Sequence, residues 1–256
     1  MPCAEITGIS VAFTLPRPQN LARKAADIRK MRKMIRLHPS NAGKWFWSGL
    51  LSLAVVVGLA ATDLDRLQQL ALSRYNAEVA HGVGEWRVML SSAQKQSEQD
   101  KLERVNLFFN RRIRWVDDRV LWQQEDYWAS LLETLAQGAG DCEDFAIAKY
   151  VSLLLAGVPE SKLRLTYVRM VRQPQAEPEA HMILAYYAEP SSEPLILDNY
   201  DTEIKSAVRR PDLTPVYAFN ATRLWFRGPN PSTSDPTARI SRWRDVLARM
   251  QAEHTL

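Results

Sequence analysis

The stretch Gly138-Ala139-Gly140-Asp141-Cys142-Glu143-Asp144 constrains this chain most, because it sets a cysteine after a glycine-rich turn, at the first residues of an apolar helix running from Phe145 to Ala156. A thiol placed there sits among backbone N–H groups that the helix cannot satisfy and at the positive end of its dipole, and both favour the thiolate. The fold is therefore expected to bury this helix at its centre with a nucleophile at its start. Three carboxylates flank the thiol and oppose the thiolate, so the motif carries an electrostatic conflict.

Composition bounds the rest. With 46% hydrophobic and 24% charged residues, 256 residues can build one large core or two small ones. The net charge of +4 is unevenly placed: residues 1 to 61 hold nine Lys/Arg against Glu5 and Asp27, leaving the remainder at −3. The basic character thus belongs to the leader, and no nucleic-acid partner is expected. That leader runs into an uncharged stretch from Trp45 to Ala61, the length of a signal-peptide core or a minimal membrane span. Small residues at Gly58 and Ala60 predict cleavage after Ala60; an uncleaved anchor, and membrane contact through it, is the alternative. Met31 and Met34 lie just before the apolar run, and translation is expected to start at Met31. Either way the chain is exported, with residues 1-61 a leader and 62-256 a single catalytic domain. Cys3 belongs to the leader, so Cys142 is the only cysteine of the exported body and no disulfide is expected within it. A small buried hydrophobe is the plain alternative for such a cysteine. Its place at a helix start after Gly-x-Gly favours the nucleophile.

Leu64, Leu67, Leu70, Trp86 and Met89 recur at helical spacing and predict one helix over residues 63 to 93. Ser97-Glu98-Gln99-Asp100 opens a second helix carrying Leu102, Val105 and Phe109. From Asn110 to Gln137 the chain is rich in tryptophan and acid, and most of the tryptophans are expected in the core. Beyond the central helix, stopped by Gly157 and Pro159, three strands follow: Leu163 to Val171, His181 to Tyr187, and Leu195 to Asn199. They are expected to be antiparallel neighbours. His181 and Asp198 then lie at strand ends brought together by the turn around Ser191-Ser192. Symmetric pairing about that turn would set Asp198 opposite Ala185, so the loop must be asymmetric for the two side chains to meet. Arg209 to Asn220 and Leu224-Trp225-Phe226 close the sheet. Asp235-Pro236 is expected to cap a C-terminal amphipathic helix with Ile240, Trp243, Leu247 and Met250 on one face. His81 and His254 are expected at the surface.

Cysteine, histidine and aspartate in that order form the nucleophile, base and orienter of thiol acyl transfer. Cys142 would attack a carbonyl, His181 would take its proton, and Asp198 would hold the imidazole. The backbone N–H of Cys142 is an oxyanion donor, with Trp122, Trp128 and Gln137 as candidates for the second.

Gly140 to Tyr150, with His181-Met182 and Leu197-Asp198-Asn199, resembles the bacterial transglutaminase-like cysteine proteinases, and among them the periplasmic, adhesin-releasing members. The resemblance takes in Asp126-Tyr127-Trp128, Leu163-Arg164-Leu165, Arg210-Pro211-Asp212-Leu213, Tyr217-Ala218-Phe219-Asn220 and Leu224-Trp225, covering most of residues 100 to 226. One departure is Ser130-Leu131-Leu132-Glu133 in place of Thr-Pro-Leu-Glu, which puts the local turn in question.

The resemblance implies an α+β, papain/transglutaminase-like cysteine protease core: helices packed on an antiparallel sheet, with the catalytic Cys at the N-terminus of a central helix. It implies a calcium-dependent periplasmic endopeptidase that cuts a large biofilm adhesin near its N-terminus at a di-alanine site and releases it from the cell. Its implied inhibitor is an inner-membrane receptor that binds cyclic-di-GMP. Calcium would also relieve the opening conflict, since a hard dication takes carboxylate oxygens. Asp141 and Glu143 are the foremost ligand candidates, followed by Asp144; otherwise these acids cap the helix and favour its dipole. A transglutaminase or amide hydrolase using the same triad is a rival reading, and a non-catalytic periplasmic calcium-binding module another. The intact triad argues against the module.

Overall fold

The computed structural model describes residues 63–173, 175–226 and 230–256. The leader, with its cleavage site and alternative start, lies outside them. Among the described residues no helix is long and apolar enough to cross a membrane.

The expected single helix over residues 63 to 93 is broken. Residues 63–74 form α1 and Ala77–Gln94 form α2, because Asn76 turns to an extended conformation and its side chain accepts the Val79 N–H. Periodicity carries across this break, and only the capping chemistry marks it. α3, Glu98–Arg112, starts where expected, with Ser97 as N-cap accepting from Asp100 N–H. β1, Arg114–Trp115, leads into the short α4, Asp118–Leu121, and α5, Leu131–Gln137, follows. Ser130 caps α5 by accepting Glu133 N–H while Glu133 accepts Ser130 N–H, so a complete capping box forms the turn without the proline.

Gly138 ends α5 in the left-handed conformation at φ 55°, a position that favours glycine. The next two residues, Ala139–Gly140, are β2, which pairs in parallel with β1. This pairing fixes the glycine-rich turn: Arg114 N–H donates to Gly138 O at 3.0 Å and Val116 N–H to Gly140 O at 2.9 Å. α6, Cys142–Leu155, then runs through the core, anchored to α2 by the Trp86 indole N–H on Ser152 Oγ at 2.9 Å.

The sheet has six antiparallel strands in the order β6-β5-β4-β3-β7-β8. They are β3 Leu163–Met170, β4 Glu179–Tyr186, β5 Leu195–Leu197, β6 Lys205–Ser206, β7 Leu213–Phe219 and β8 Leu224–Phe226. The three strands flanking the site are antiparallel neighbours, as expected. Leu163 and Leu165 of β3 are fully buried, as is Phe219 opposite Leu165, which stacks on Trp128 and meets Trp243 from the helical side.

The C-terminal segment departs from the expectation. Asp235-Pro236 opens only the short α7, Pro236–Arg239, and α8, Ser241–Ala252, starts afresh after Ile240. The buried face of α8 holds Trp243, Val246 and Met250, with Val246 in the place given to Leu247.

Candidate active site

The candidate nucleophile, Cys142, is held by the start of α6. Asp141 is the N-cap in an extended conformation, and Cys142 is the first helical residue, 1% exposed. Met182 N–H of β4 donates to Cys142 Sγ at 3.3 Å, which sets the sulfur beside the strand that carries His181. β5 stops at Leu197, paired with Leu184, leaving that N–H for the sulfur.

His181 and Asp198 meet. The β4–β5 ladder runs Tyr186↔Leu195, Ala185↔Ile196, Leu184↔Leu197, two residues out of step with the symmetric pairing. One step further sets Asp198 opposite Ile183, a diagonal neighbour of His181 on the same face. His181 Nε2 lies 2.8 Å from Asp198 Oδ1, with both residues buried. The asymmetric loop that this meeting required is what the register shows.

Asp198 is fixed from every side. Its Oδ1 accepts Tyr200 N–H at 3.1 Å, and Oδ2 lies 2.9 Å from Arg210 Nη2. Its backbone carbonyl accepts Lys149 Nζ at 3.0 Å and Asn110 Nδ2 at 2.9 Å. Burial alone would raise its carboxyl; the His181 hydrogen bond and charge, the Tyr200 N–H and the Arg210 guanidinium outweigh burial and hold it well below the usual carboxylate range. An ionised Asp198 assigns the proton of neutral His181 to Nε2, which leaves Nδ1 to serve as base. Lys149, seven residues after Cys142 on the same helix, is pushed down to about 7 by burial, partly countered by Asp198. Asp198→Asn removes the acceptor that selects this tautomer and is expected to lower kcat/KM by roughly two to four orders of magnitude. Peptide-cleavage kinetics against pH test this, and wild-type rates in the variant would exclude Asp198 as orienter.

The flanking acids form two overlapping groups whose ligand atoms lie within 4.8 Å: Asp141, Cys142 and Glu143, and Asp118, Asp141 and Asp144. Asp141 belongs to both. Glu143 Oε2 lies 2.8 Å from Cys142 Sγ. Burial first, and then the charge of Asp141, raise Glu143 well above its ordinary value, so Glu143 sets no full negative charge against the sulfur. Asp144 is likewise raised by burial and by Asp141 and Asp118, and its oxygens serve the backbone, accepting Ala129 N–H at 2.7 Å and Asp141 N–H at 3.3 Å. Asp118 was not among the ligand candidates read from sequence. It begins α4, and the β1–β2 pairing brings it to Asp141 across 23 residues of chain, a proximity that no local pattern announces. Asp118 Oδ1 and Asp141 Oδ1 are buried without a hydrogen-bond partner. Burial raises Asp141 to about 6, and burial with the charge of Asp141 raises Asp118 to about 8. Two orphaned carboxylate oxygens in a buried acidic cluster fit a hard, oxygen-seeking cation.

Gly140 earns its place by space. A Cβ there would stand 2.7 Å from Asp144 Cβ and 2.5 Å from Asp144 Oδ2. Gly140→Ala is expected to lower stability by about 1–3 kcal/mol. Denaturant unfolding measures this, and an unchanged midpoint would show that Asp144 moves aside freely.

Of the candidate second oxyanion donors, Trp128 is excluded: its indole N–H donates to Asp126 Oδ1 at 3.0 Å and its ring is buried against Phe219. Trp122 Nε1 is buried without a hydrogen-bond partner, while Gln137 is exposed at the end of α5. His81 and His254 are exposed, as expected.

A cysteine at a helix start, a histidine on the adjoining strand and a buried aspartate that orients it define a thiol hydrolase on an antiparallel α+β core. The family model of the bacterial transglutaminase-like cysteine proteinases matches residues 74–212, and the chain belongs to that family of cysteine peptidases. The solved structure of Legionella pneumophila LapG is 37% identical, covering 73% of this chain and 97% of that one at a TM-score of 0.63. Its calcium-bound form is 38% identical at 0.63, covering 73% and 98%, and its EGTA-treated form 38% at 0.65, covering 73% and 97%. A comparison with curated proteins finds no match.

Proposed function

We propose that this chain is a calcium-dependent endopeptidase acting in the periplasm on a large surface adhesin, cutting near its N-terminus at a di-alanine site and releasing it from the cell. The observation that carries the calcium reading is the pair of orphaned oxygens, Asp118 Oδ1 and Asp141 Oδ1, the second on the residue that precedes Cys142. Asp141 and Asp118 would hold the ion, with Glu143 and Asp144 flanking it; when bound it supplies the positive charge that lets these acids ionise beside Cys142. The likeness to an enzyme solved in calcium-bound and EGTA-treated forms supports this reading.

The chain's own residues perform the peptide chemistry. His181 Nδ1 takes the proton from Cys142 Sγ, and the sulfur attacks the scissile carbonyl carbon. The oxyanion is received by the Cys142 N–H, one of the first-turn donors a helix cannot use itself. His181 returns the proton to the leaving amine, and a water activated by the same imidazole then cleaves the thioester. Asp198 stays ionised and keeps the ring in place throughout.

Restraint by an inner-membrane cyclic-di-GMP receptor belongs to the same proposal and rests on resemblance to the family. The deciding experiment incubates the purified, reduced protein with an N-terminal adhesin fragment from the same organism, in calcium and in EGTA, beside a glutamine and amine pair. Cleavage at the alanine pair in calcium alone is expected. Amine incorporation without cleavage would transfer the reading to a transglutaminase.

A further inference from the structure

Strand β3 alternates between two environments. Leu163 and Leu165 face the helical core, so Arg164 and Thr166 point to the other side of the sheet, opposite Ala185 and Ile183 of β4. There they line a cavity of about 320 Å³ with Tyr187, Ile196 and Trp225. None of Cys142, His181 or Asp198 lines it.

Arg164 is only 5% exposed, and its guanidinium carbon lies 3.8 Å from the ring centre of Tyr187 and 4.4 Å from that of Trp225. Nη2 donates to Pro190 O at 3.3 Å, while Nε is buried without a hydrogen-bond partner. The indole Nε1 of Trp225 is also buried without one. Among the described residues no carboxylate forms an ion pair with this guanidinium; the Tyr187 hydroxyl accepts a hydrogen bond from it, and the other nearby charge is a second cation, Arg223. Burial lowers the affinity of Arg164 for its proton, the mark of a desolvated charge. Aromatic faces stabilise a cation in part, but a buried charge ordinarily also finds a counter-ion.

We infer that this cavity is a binding site for a carboxylate borne on a small apolar body. Arginine presents a planar fork that matches a carboxylate in two parallel hydrogen bonds, and the two unused donors, Arg164 Nε and Trp225 Nε1, are of the kind such a group satisfies. The walls formed by Ile183, Ile196 and Pro215 suit a hydrocarbon body, and the volume is that of a small-ligand pocket. A phosphate, with more charge and more oxygens to satisfy, would lack donors here. The carboxylate could come from a free organic acid or from an acidic side chain of a bound polypeptide. The inference does not depend on the protease reading.

The test titrates the wild-type protein with 3-phenylpropionate and, in parallel, with its neutral amide. Binding is followed at the Trp225 indole N–H resonance, assigned by its loss in Trp225→Phe. A second arm uses an end-capped peptide whose single charge is a glutamate beside a phenylalanine. The acid is expected to bind at least tenfold more tightly than the amide, and Arg164→Met is expected to abolish that preference. Arg164-dependent binding of the peptide without the free acid supports the site and makes a polypeptide its source. Equal affinity for acid and amide, or no response of Trp225 to any carboxylate, overturns the inference and leaves Arg164 as a cation stacked for structure. The wild-type comparison stands even if Arg164→Met fails to fold.

Discussion

Cys142→Ala is expected to lower peptide cleavage by at least about four orders of magnitude while leaving circular dichroism and the melting temperature near those of the wild type. The size follows from the way the triad works as a unit. Without the sulfur, the imidazole set by Asp198 has no nucleophile to activate, and only oxyanion stabilisation and substrate binding remain. The fold should survive because the α6 start is held by other contacts: the β1–β2 pairing fixes the turn, and Asp144 ties Ala129 and Asp141 together. Single-turnover cleavage with purified protein checks this. Activity above about one part in a hundred would require a different nucleophile.

Removing calcium is expected to have the second-largest effect, a loss of at least about a hundredfold in activity. A distinct pH signature should accompany it. Asp118 and Asp141 rise from an ordinary 3.8 to about 8 and about 6, so the folded protein binds more protons than the unfolded chain between those values. Their contribution to stability is full below 3.8 and is lost as pH rises through about 6 and then about 8. Metal-free protein should therefore melt at progressively lower temperature between pH 5 and pH 8. With calcium, which favours the ionised ligands, that decline should flatten or reverse. Thermal melts at the two pH values in EGTA and in calcium, with Asp118→Asn as control, test the ligand set. Full activity in EGTA, or the same pH trend in both conditions, would sink the calcium reading.

Much of this site was legible along the chain because its parts are local. Glycines before an Asp-Cys pair, with an apolar run behind them, specify a turn and a helix start through chemistry within a few residues. Strand alternation placed His181 and Asp198 at facing ends, and the mismatch in symmetric pairing marked where the loop had to be uneven. Elsewhere local reading failed for physical reasons. Asn76 broke a helix whose apolar period ran on unchanged, and Ile240 restarted a helix that Asp235 had been expected to cap.

By itself the sequence picked out Cys142, His181 and Asp198 as candidates for nucleophile, base and orienter, since each lies in a segment whose structure its neighbours dictate. Tertiary structure alone decided what surrounds them. Arg210, Lys149 and Asn110 converge on Asp198, and Asp118 joins Asp141, from segments far apart in the chain. Those encounters depend on strand register and on the β1–β2 pairing, not on any spacing of residues. The same holds for Arg164, an ordinary strand residue by pattern, whose unneutralised charge between two aromatic rings exists only once the sheet has formed.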